Sequence, residues 1–209
     1  MCYSFEASII SWFISLFGSM YMLSDDSYDK WLPLFILTFT QMQILEGVIW
    51  SSINTNNDIN IKATTIILFL LWLQPLLNSL IGYKETQKNI LLYLTFLYAL
   101  IVLITYFTLG QDHFIATEGP HGHLVWNRYA KTGEKKLFMG SYFMGILYLI
   151  GLFLPFFFYP NVMGTITIIF GLVTFLITLT YYGEEFSSMW CHLSVALTIL
   201  ALLFNKKIN

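Results

Sequence analysis

Charge is what this chain has least of. Of its 209 residues only 11 % are Asp, Glu, Lys or Arg, against roughly 25 % in an average soluble domain, while 57 % are hydrophobic. The few basic residues nowhere gather into a patch, which argues against nucleic acid as a partner. Cysteine is scarce too: Cys2 and Cys191 allow one intramolecular bridge at most, so no disulfide framework carries this fold. Lys and Arg are missing ahead of the first apolar run, which starts near Phe5. A small-residue cleavage site is missing behind it, because Ser15-Leu16-Phe17-Gly18-Ser19 runs on into Met20-Tyr21-Met22-Leu23. That run is expected to be a retained span and not a cleaved signal peptide. No room remains for a soluble module, and residues 1–209 read as a single transmembrane domain.

What is present is apolar sequence in bilayer lengths. A helix needs about 20 mostly apolar residues to cross the hydrocarbon, and the stretches 6–23, 31–52, 63–83, 89–109, 137–159, 162–181 and 185–204 qualify. The expected fold is all-α, an integral membrane bundle of seven transmembrane helices. Alternation puts the N-terminus and the loops 53–62, 110–136 and 182–184 at one end of the bundle, end A. The loops 24–30, 84–88 and 160–161 and the C-terminus fall at the opposite end B. Five basic residues lie on each side, so the positive-inside rule is silent. The final Lys206-Lys207-Ile208-Asn209 resembles the C-terminal dilysine signal of endoplasmic-reticulum membrane proteins, which acts from the cytosol. Read so, end B is cytosolic, end A is lumenal or extracellular, and the endoplasmic reticulum or another endomembrane is the expected location.

The polar residues that do occur within spans crowd toward end A. Glu46 lies one to two turns below that surface, with Gln43, Gly47 and Trp50 at helical spacing. An ionisable side chain inside a span is expensive and marks a site by default. Span 7 begins at end A with Trp190, Cys191 and His192 close behind, and the N-terminus brings Cys2 and Glu6 to the same end. Glu6 also suits the positive end of the first helix with no further role. The segment 110–136 is long for so compact a chain and reads as a lid, its Trp126 packing on the bundle. It holds His113, His121 and His123, and His-x-His can ligate zinc or copper, with Cys191 as a third ligand. Gln74-Pro75 near the bilayer centre reads as a kink whose freed carbonyl Gln74 or Asn78 would satisfy. The B half holds no ionisable residue inside its spans, which favours a pocket open at end A over a path for charged solutes.

The opening Met1-Cys2-Tyr3-Ser4 with Glu6, the Gln43…Glu46-Gly47…Trp50 run, Gln74-Pro75, His123-Leu124-Val125-Trp126 and Ser188-Met189-Trp190-Cys191 stand together in one chain. In their order and spacing they resemble an uncharacterised family of small polytopic membrane proteins of bacteria, protists and large DNA viruses. That family starts Met-Cys-aromatic-Ser and carries a Trp-Cys pair in its last span. The resemblance implies that Cys2, Glu46, Gln74, His123, Trp126, Trp190 and Cys191 are family positions, and it implies no reaction. A retinal Schiff base of the microbial-rhodopsin kind is excluded, since span 7 has no lysine before Lys206 at its end.

Three functions stay open. In the first, Glu46, His123 and Cys191 are catalytic in a pocket lined by Gln43, Gln74, Trp126 and Trp190. A divalent metal such as zinc sits on His121, His123 and Cys191, and acid–base or metal chemistry acts on a lipid or small molecule. In the second, Glu46 gates a proton or small solute. In the third, the protein is a receptor-like binder of lipid. Membrane lipids, and further copies of the chain, are the expected partners.

Overall fold

The computed structural model describes residues 4–109, 114–129 and 142–206, with the backbone alone for Thr108, Leu109, 127–129, Tyr142, Phe143, Glu184 and 191–194. Helix α1 (Phe5–Ser24) opens on Ser4, whose hydroxyl accepts the Ala7 N–H at 3.3 Å. Helix α2 spans Trp31–Ser52. Helix α3 (Asn57–Thr86) begins six residues before the expected apolar run, because Asn56 caps it through Ile59 N at 3.1 Å. It closes on Gln87 in the left-handed region. At 30 residues it is about 45 Å long. Helices α4 (Asn89–Leu109), α6 (Val162–Tyr182) and α7 (Phe186–Phe204) follow the expected spans closely. With α1, α2 and α3 they make six helices long and apolar enough to cross a membrane. The protein is an integral membrane helical bundle.

The expected continuous span 137–159 departs from this pattern. Helix α5 (Tyr142–Phe153) is 12 residues long and gives way to a 3-10 segment, Leu154–Phe158. Pro155 has no N–H to offer the carbonyl of Gly151, so the α-helical ladder stops there. Released carbonyls at the end of α5 find other donors. The Asn78 amide gives Nδ2–H to Leu152 O at 2.8 Å while its Oδ1 accepts Trp31 Nε1–H at 2.7 Å. Pro75 in turn cannot donate to Leu71 O, and among the described hydrogen bonds neither Asn78 nor Gln74 takes up that carbonyl. Asn78 spends its amide N–H on Leu152 O, and Gln74 bonds through its oxygen, to Tyr148.

Helices α2 and α3 form the centre of the bundle: α1 and α7 flank α2, while α4 and α5 pack on α3. Helix α1 is built inside out. Its buried face is Ser8, Ser11, Ser15, Ser19 and Met22, and its Ile10, Phe13, Ile14 and Phe17 point outward. Hydrocarbon tails accept those side chains, and the small serines let the helix backbones approach. At Gly18 a Cβ would stand 2.6 Å from the Thr198 methyl group.

The fold is helical as expected, and the long segment expected to be a lid adds one small sheet to it. That segment holds an antiparallel hairpin of β1 (Phe114–Glu118) and β2 (Leu124–Tyr129), with two residues of β2 facing Ala116 at a bulge. The two ends of the bundle are tied separately. At end B, Asp29 N–H donates to Asn205 O at 3.2 Å and Asn205 Nδ2–H to Asp29 O at 2.9 Å. The Tyr159 hydroxyl lies 2.8 Å from Asp29 Oδ1 and 2.7 Å from Asn205 Oδ1. At end A, the hairpin rests with β1 on α3 and β2 on α7.

Candidate functional site

The hairpin is seated through two side chains that reach its backbone. Asn60, in the polar first turn of α3, pairs with both backbone groups of Ala116. Its Nδ2–H donates to Ala116 O at 3.0 Å and its Oδ1 accepts Ala116 N–H at 2.9 Å. Thr64, one turn on, holds Asn60 Oδ1 at 3.0 Å. The second anchor is Glu185, in the short 3-10 turn Gly183–Glu185 between α6 and α7. Its Oε1 accepts His121 N–H at 3.0 Å and lies 3.1 Å from His121 Nδ1, and its Oε2 accepts His123 N–H at 2.9 Å.

Local sequence explains why the tip fits. The β-turn Gly119-Pro120-His121-Gly122 closes through Gly122 N–H to Gly119 O at 3.1 Å, with proline at its second position. Gly122 takes a left-handed φ of 78°. Gly119 leaves the space in which the carboxylate lies, since a Cβ there would fall 2.4 Å from Glu185 Cδ. Tyr182 of α6 meets the His121 and His123 rings edge-on at 5.9 and 5.0 Å.

These contacts set the protonation preferences. Burial alone would push the Glu185 carboxyl up, but the two backbone N–H donors and His121 outweigh it and hold the group below the usual carboxylate value. His123 is completely buried, and that burial keeps its imidazole below the ordinary value, with Glu185 acting in the opposite sense. Phe114, Leu124, Val125 and Trp126 are buried with it. End A is thus covered by a packed hairpin.

Helix α5 packs on α3 and reaches α6 by way of the 3-10 segment. Gly171 of α6 meets Phe153 there, where a Cβ would come within 2.4 Å of the ring. Two small apolar cavities lie on either side of Trp190, both partly open to the surroundings. The one toward end B is lined chiefly by phenylalanines and leucines, with Thr167 and Thr174. The one toward end A is lined by Leu71, Gly145, Tyr148, Leu149, Phe175, Phe186 and Ser187. Trp190 stands between them, its ring against Phe175 at 5.2 Å and its Nε1–H on Thr174 Oγ1 at 3.2 Å. Behind the second cavity, the Tyr148 hydroxyl donates to Gln74 Oε1 at 2.6 Å.

The sequence-derived candidates divide among these places. Gln43 and Glu46 are wholly buried on α2, at the level where Gly47 meets Ile9 and Phe5 of α1. Trp190 lines the cleft, Gln74 stands behind it on the Tyr148 hydroxyl, and His121, His123 and Trp126 belong to the hairpin. His121 is exposed at the tip, and Glu6 is exposed at the start of α1. Cys2 and His113 lie outside the described residues, as do the side chains of Cys191 and His192. Among the described residues no three His, Cys, Asp or Glu side chains converge as metal ligands. Glu185 is not among the sequence-derived candidates, yet its carboxylate holds both His121 and His123 by their backbone N–H groups.

Fold and site together define a polytopic membrane protein with an apolar cleft and a hairpin cap. The chain is similar to an uncharacterised protein of Acanthamoeba polyphaga mimivirus, 26 % identical over 98 % of this chain and 95 % of that protein. No family model matches the chain, and no solved structure does.

Proposed function

We propose that this protein binds a membrane-soluble apolar molecule, drawn from the bilayer into the cleft around Trp190, while the hairpin closes end A. The observation that carries this reading is the pair of apolar cavities flanking Trp190 at spanning depth. In water such hollows would collapse or stay empty, whereas in a bilayer hydrocarbon chains surround them and fill them without desolvating a polar group. In this reading α5 and its 3-10 extension form a seventh crossing. End B faces the cytosol if Lys206-Lys207 acts as a retrieval signal.

Gly145 provides the test. It lines the cavity toward end A, and a Cβ placed there would meet nothing within 4 Å. Gly145→Phe should therefore fold and fill the cavity. Brominated acyl chains should quench Trp190 fluorescence in the wild type, read against Trp190→Phe, and quench it much less in Gly145→Phe. Equal quenching in both proteins would sink the proposal.

A second reading rests on Glu46, a carboxyl-bearing side chain fully buried within a span. There it acts as a general base toward a bound lipid or small molecule, with His123 and Cys191 as catalytic partners, or as the gate for a proton. Glu46→Gln in liposomes tests it. Unchanged proton flux and unchanged turnover of bound lipid, in a folded variant, would exclude both forms.

A further inference from the structure

One short turn belongs to both the hairpin clamp and the cleft. Glu185, which holds the hairpin tip, ends the 3-10 turn Gly183–Glu185, and α7 starts at the next residue. That residue, Phe186, and Ser187 after it form part of the wall of the cavity toward end A. Phe186 reaches Trp190 by way of Phe175. Its ring lies edge-on to Phe175 at 5.6 Å, and Phe175 lies against Trp190 at 5.2 Å. Tyr182, just before the turn, meets the His123 ring at 5.0 Å. Adjacent Cα atoms are fixed about 3.8 Å apart, so the clamp cannot shift far without carrying the wall.

Two features give the turn a second position to move to. Glu185 stands as the N-cap of α7, where a side-chain oxygen ordinarily accepts an N–H of its own helix. Here the carboxylate makes no such bond, and its two oxygens are spent on the hairpin. Released from the tip, it can turn back onto the first N–H groups of α7. The hinge for that movement is Gly183, which joins α6 to the turn at φ 53° with open space where a Cβ would stand. Glycine enters and leaves such a conformation without the steric cost another residue would meet.

An occupant of the cavity favours one position over the other. With the carboxylate on the hairpin, Phe186 and Ser187 line the cavity, and an apolar molecule inside it gains dispersion contacts with them. With the carboxylate turned onto α7, the first turn of that helix shifts and those contacts are lost. We infer that the turn Gly183–Glu185 couples the hairpin to the cavity toward end A, so that filling the cavity tightens the docking of the hairpin tip and releasing the tip weakens binding in the cavity. This rests on the reading that the cleft admits apolar molecules at all, and deepens it by naming how that site is regulated. The coupling is reciprocal, since each event shifts the other by the same factor.

The experiment uses the full chain in a rigid steroid-based detergent, which offers no flexible chain of its own, with a long-chain fatty acid brominated along its chain as the probe. Quenching of Trp190, read against Trp190→Phe, reports binding, and amide hydrogen exchange at residues 119–125 reports docking. In the wild type, saturating probe should slow exchange of the His123 amide by at least about fivefold, the lower end of ordinary coupling between sites. Unchanged exchange overturns the inference. Gly119→Ala expels the carboxylate from the hairpin side and leaves α7 and the cavity as they are. It should raise the probe concentration for half-quenching by at least about fivefold, and an unaltered concentration overturns the inference. In Gly145→Phe, with the cavity filled, the probe should no longer slow the tip. Slowing that persists there marks an effect of the probe elsewhere and overturns the inference too. Should Gly119→Ala fail to fold, the wild-type exchange decides alone. If the probe never quenches Trp190, the cleft reading itself falls and takes this inference with it, whereas quenching without a change in exchange removes the coupling alone.

Discussion

Removing the Glu185 carboxylate should loosen the hairpin tip without unfolding the bundle. The side chain accepts the backbone N–H groups of His121 and His123 at 3.0 and 2.9 Å, and His123 is fully buried. In Glu185→Ala both donors lose a charged acceptor. The one at exposed His121 can turn to water, but the one at His123 cannot do so while the hairpin stays docked. A hydrogen bond to a charged group is worth about 1.5–3 kcal/mol, so docking of the tip should weaken by about 2–4 kcal/mol. That corresponds to a fall of roughly 30- to 700-fold in the docked-to-undocked ratio. Amide hydrogen exchange at residues 119–125, in nanodiscs, reads this directly, with the amides of α2 as the control that the bundle is intact. Gly119→Ala should act in the same direction by expelling the carboxylate from its place. Because both changes break one contact, the double variant should exchange hardly faster than either single one. If the His123 amide of Glu185→Ala exchanges no more than about threefold faster than in wild type, the clamp holds nothing and the reasoning fails.

Acid should weaken hairpin docking in two stages. The docked His123 resists protonation while an undocked one takes its proton below about 6.5, so protection should decline as pH falls from there toward the depressed docked value. Glu185 stabilises docking fully above its ordinary value of 4.5, and that contribution is lost as pH falls through its lowered docked value. Protection that stays flat between neutral pH and about 4.5 would show that His123 is not seated as described. Asn60→Ala should leave the Ala116 amide with the Thr64 hydroxyl alone, at 3.1 Å, and so raise its exchange while the tip stays on Glu185. An Ala116 amide as protected as in wild type would refute that anchor. Asn78→Leu breaks the bonds to Trp31 and Leu152 at once inside the bundle, and should lower stability by about 2–4 kcal/mol in unfolding assays. A loss under about 0.5 kcal/mol would mean that the bridge between α2 and α5 is replaceable.

Apolar length made the spans legible, and they fail where another rule governs. Residues 57–62 are mostly polar and read as loop, yet they are helical, since a capped helix that has left the hydrocarbon does not need an apolar run. Pro155 breaks the fifth run, but the run stays apolar on both sides of it, so apolar length alone does not mark the break. The turn at Gly119-Pro120-His121-Gly122 could be seen, but not the strands, which form only against a partner. Glu185 and Asn60 gained their importance from residues more than fifty positions away, and no local pattern announces such a pairing. The cleft was beyond reach for a like reason. Gln74 and Trp190 could be picked out as unusual, but a hollow is made by how helices diverge, and composition does not record divergence.

The tie at end B has a consequence for the order of assembly. Asp29 and Asn205 are joined across 176 residues, with Tyr159 as the third member. Ribosomal synthesis runs from the N-terminus, so the loop after α1 must wait at the membrane surface until α7 has been threaded before its bonds can close. Until then the early helices have only each other, and the inside-out α1 keeps part of its serine face uncovered. Closure of this tie therefore reports that the last helix has arrived. A chain halted before α7 would keep the bond between Tyr159 and Asp29 but lack the Asn205 groups that complete the tie.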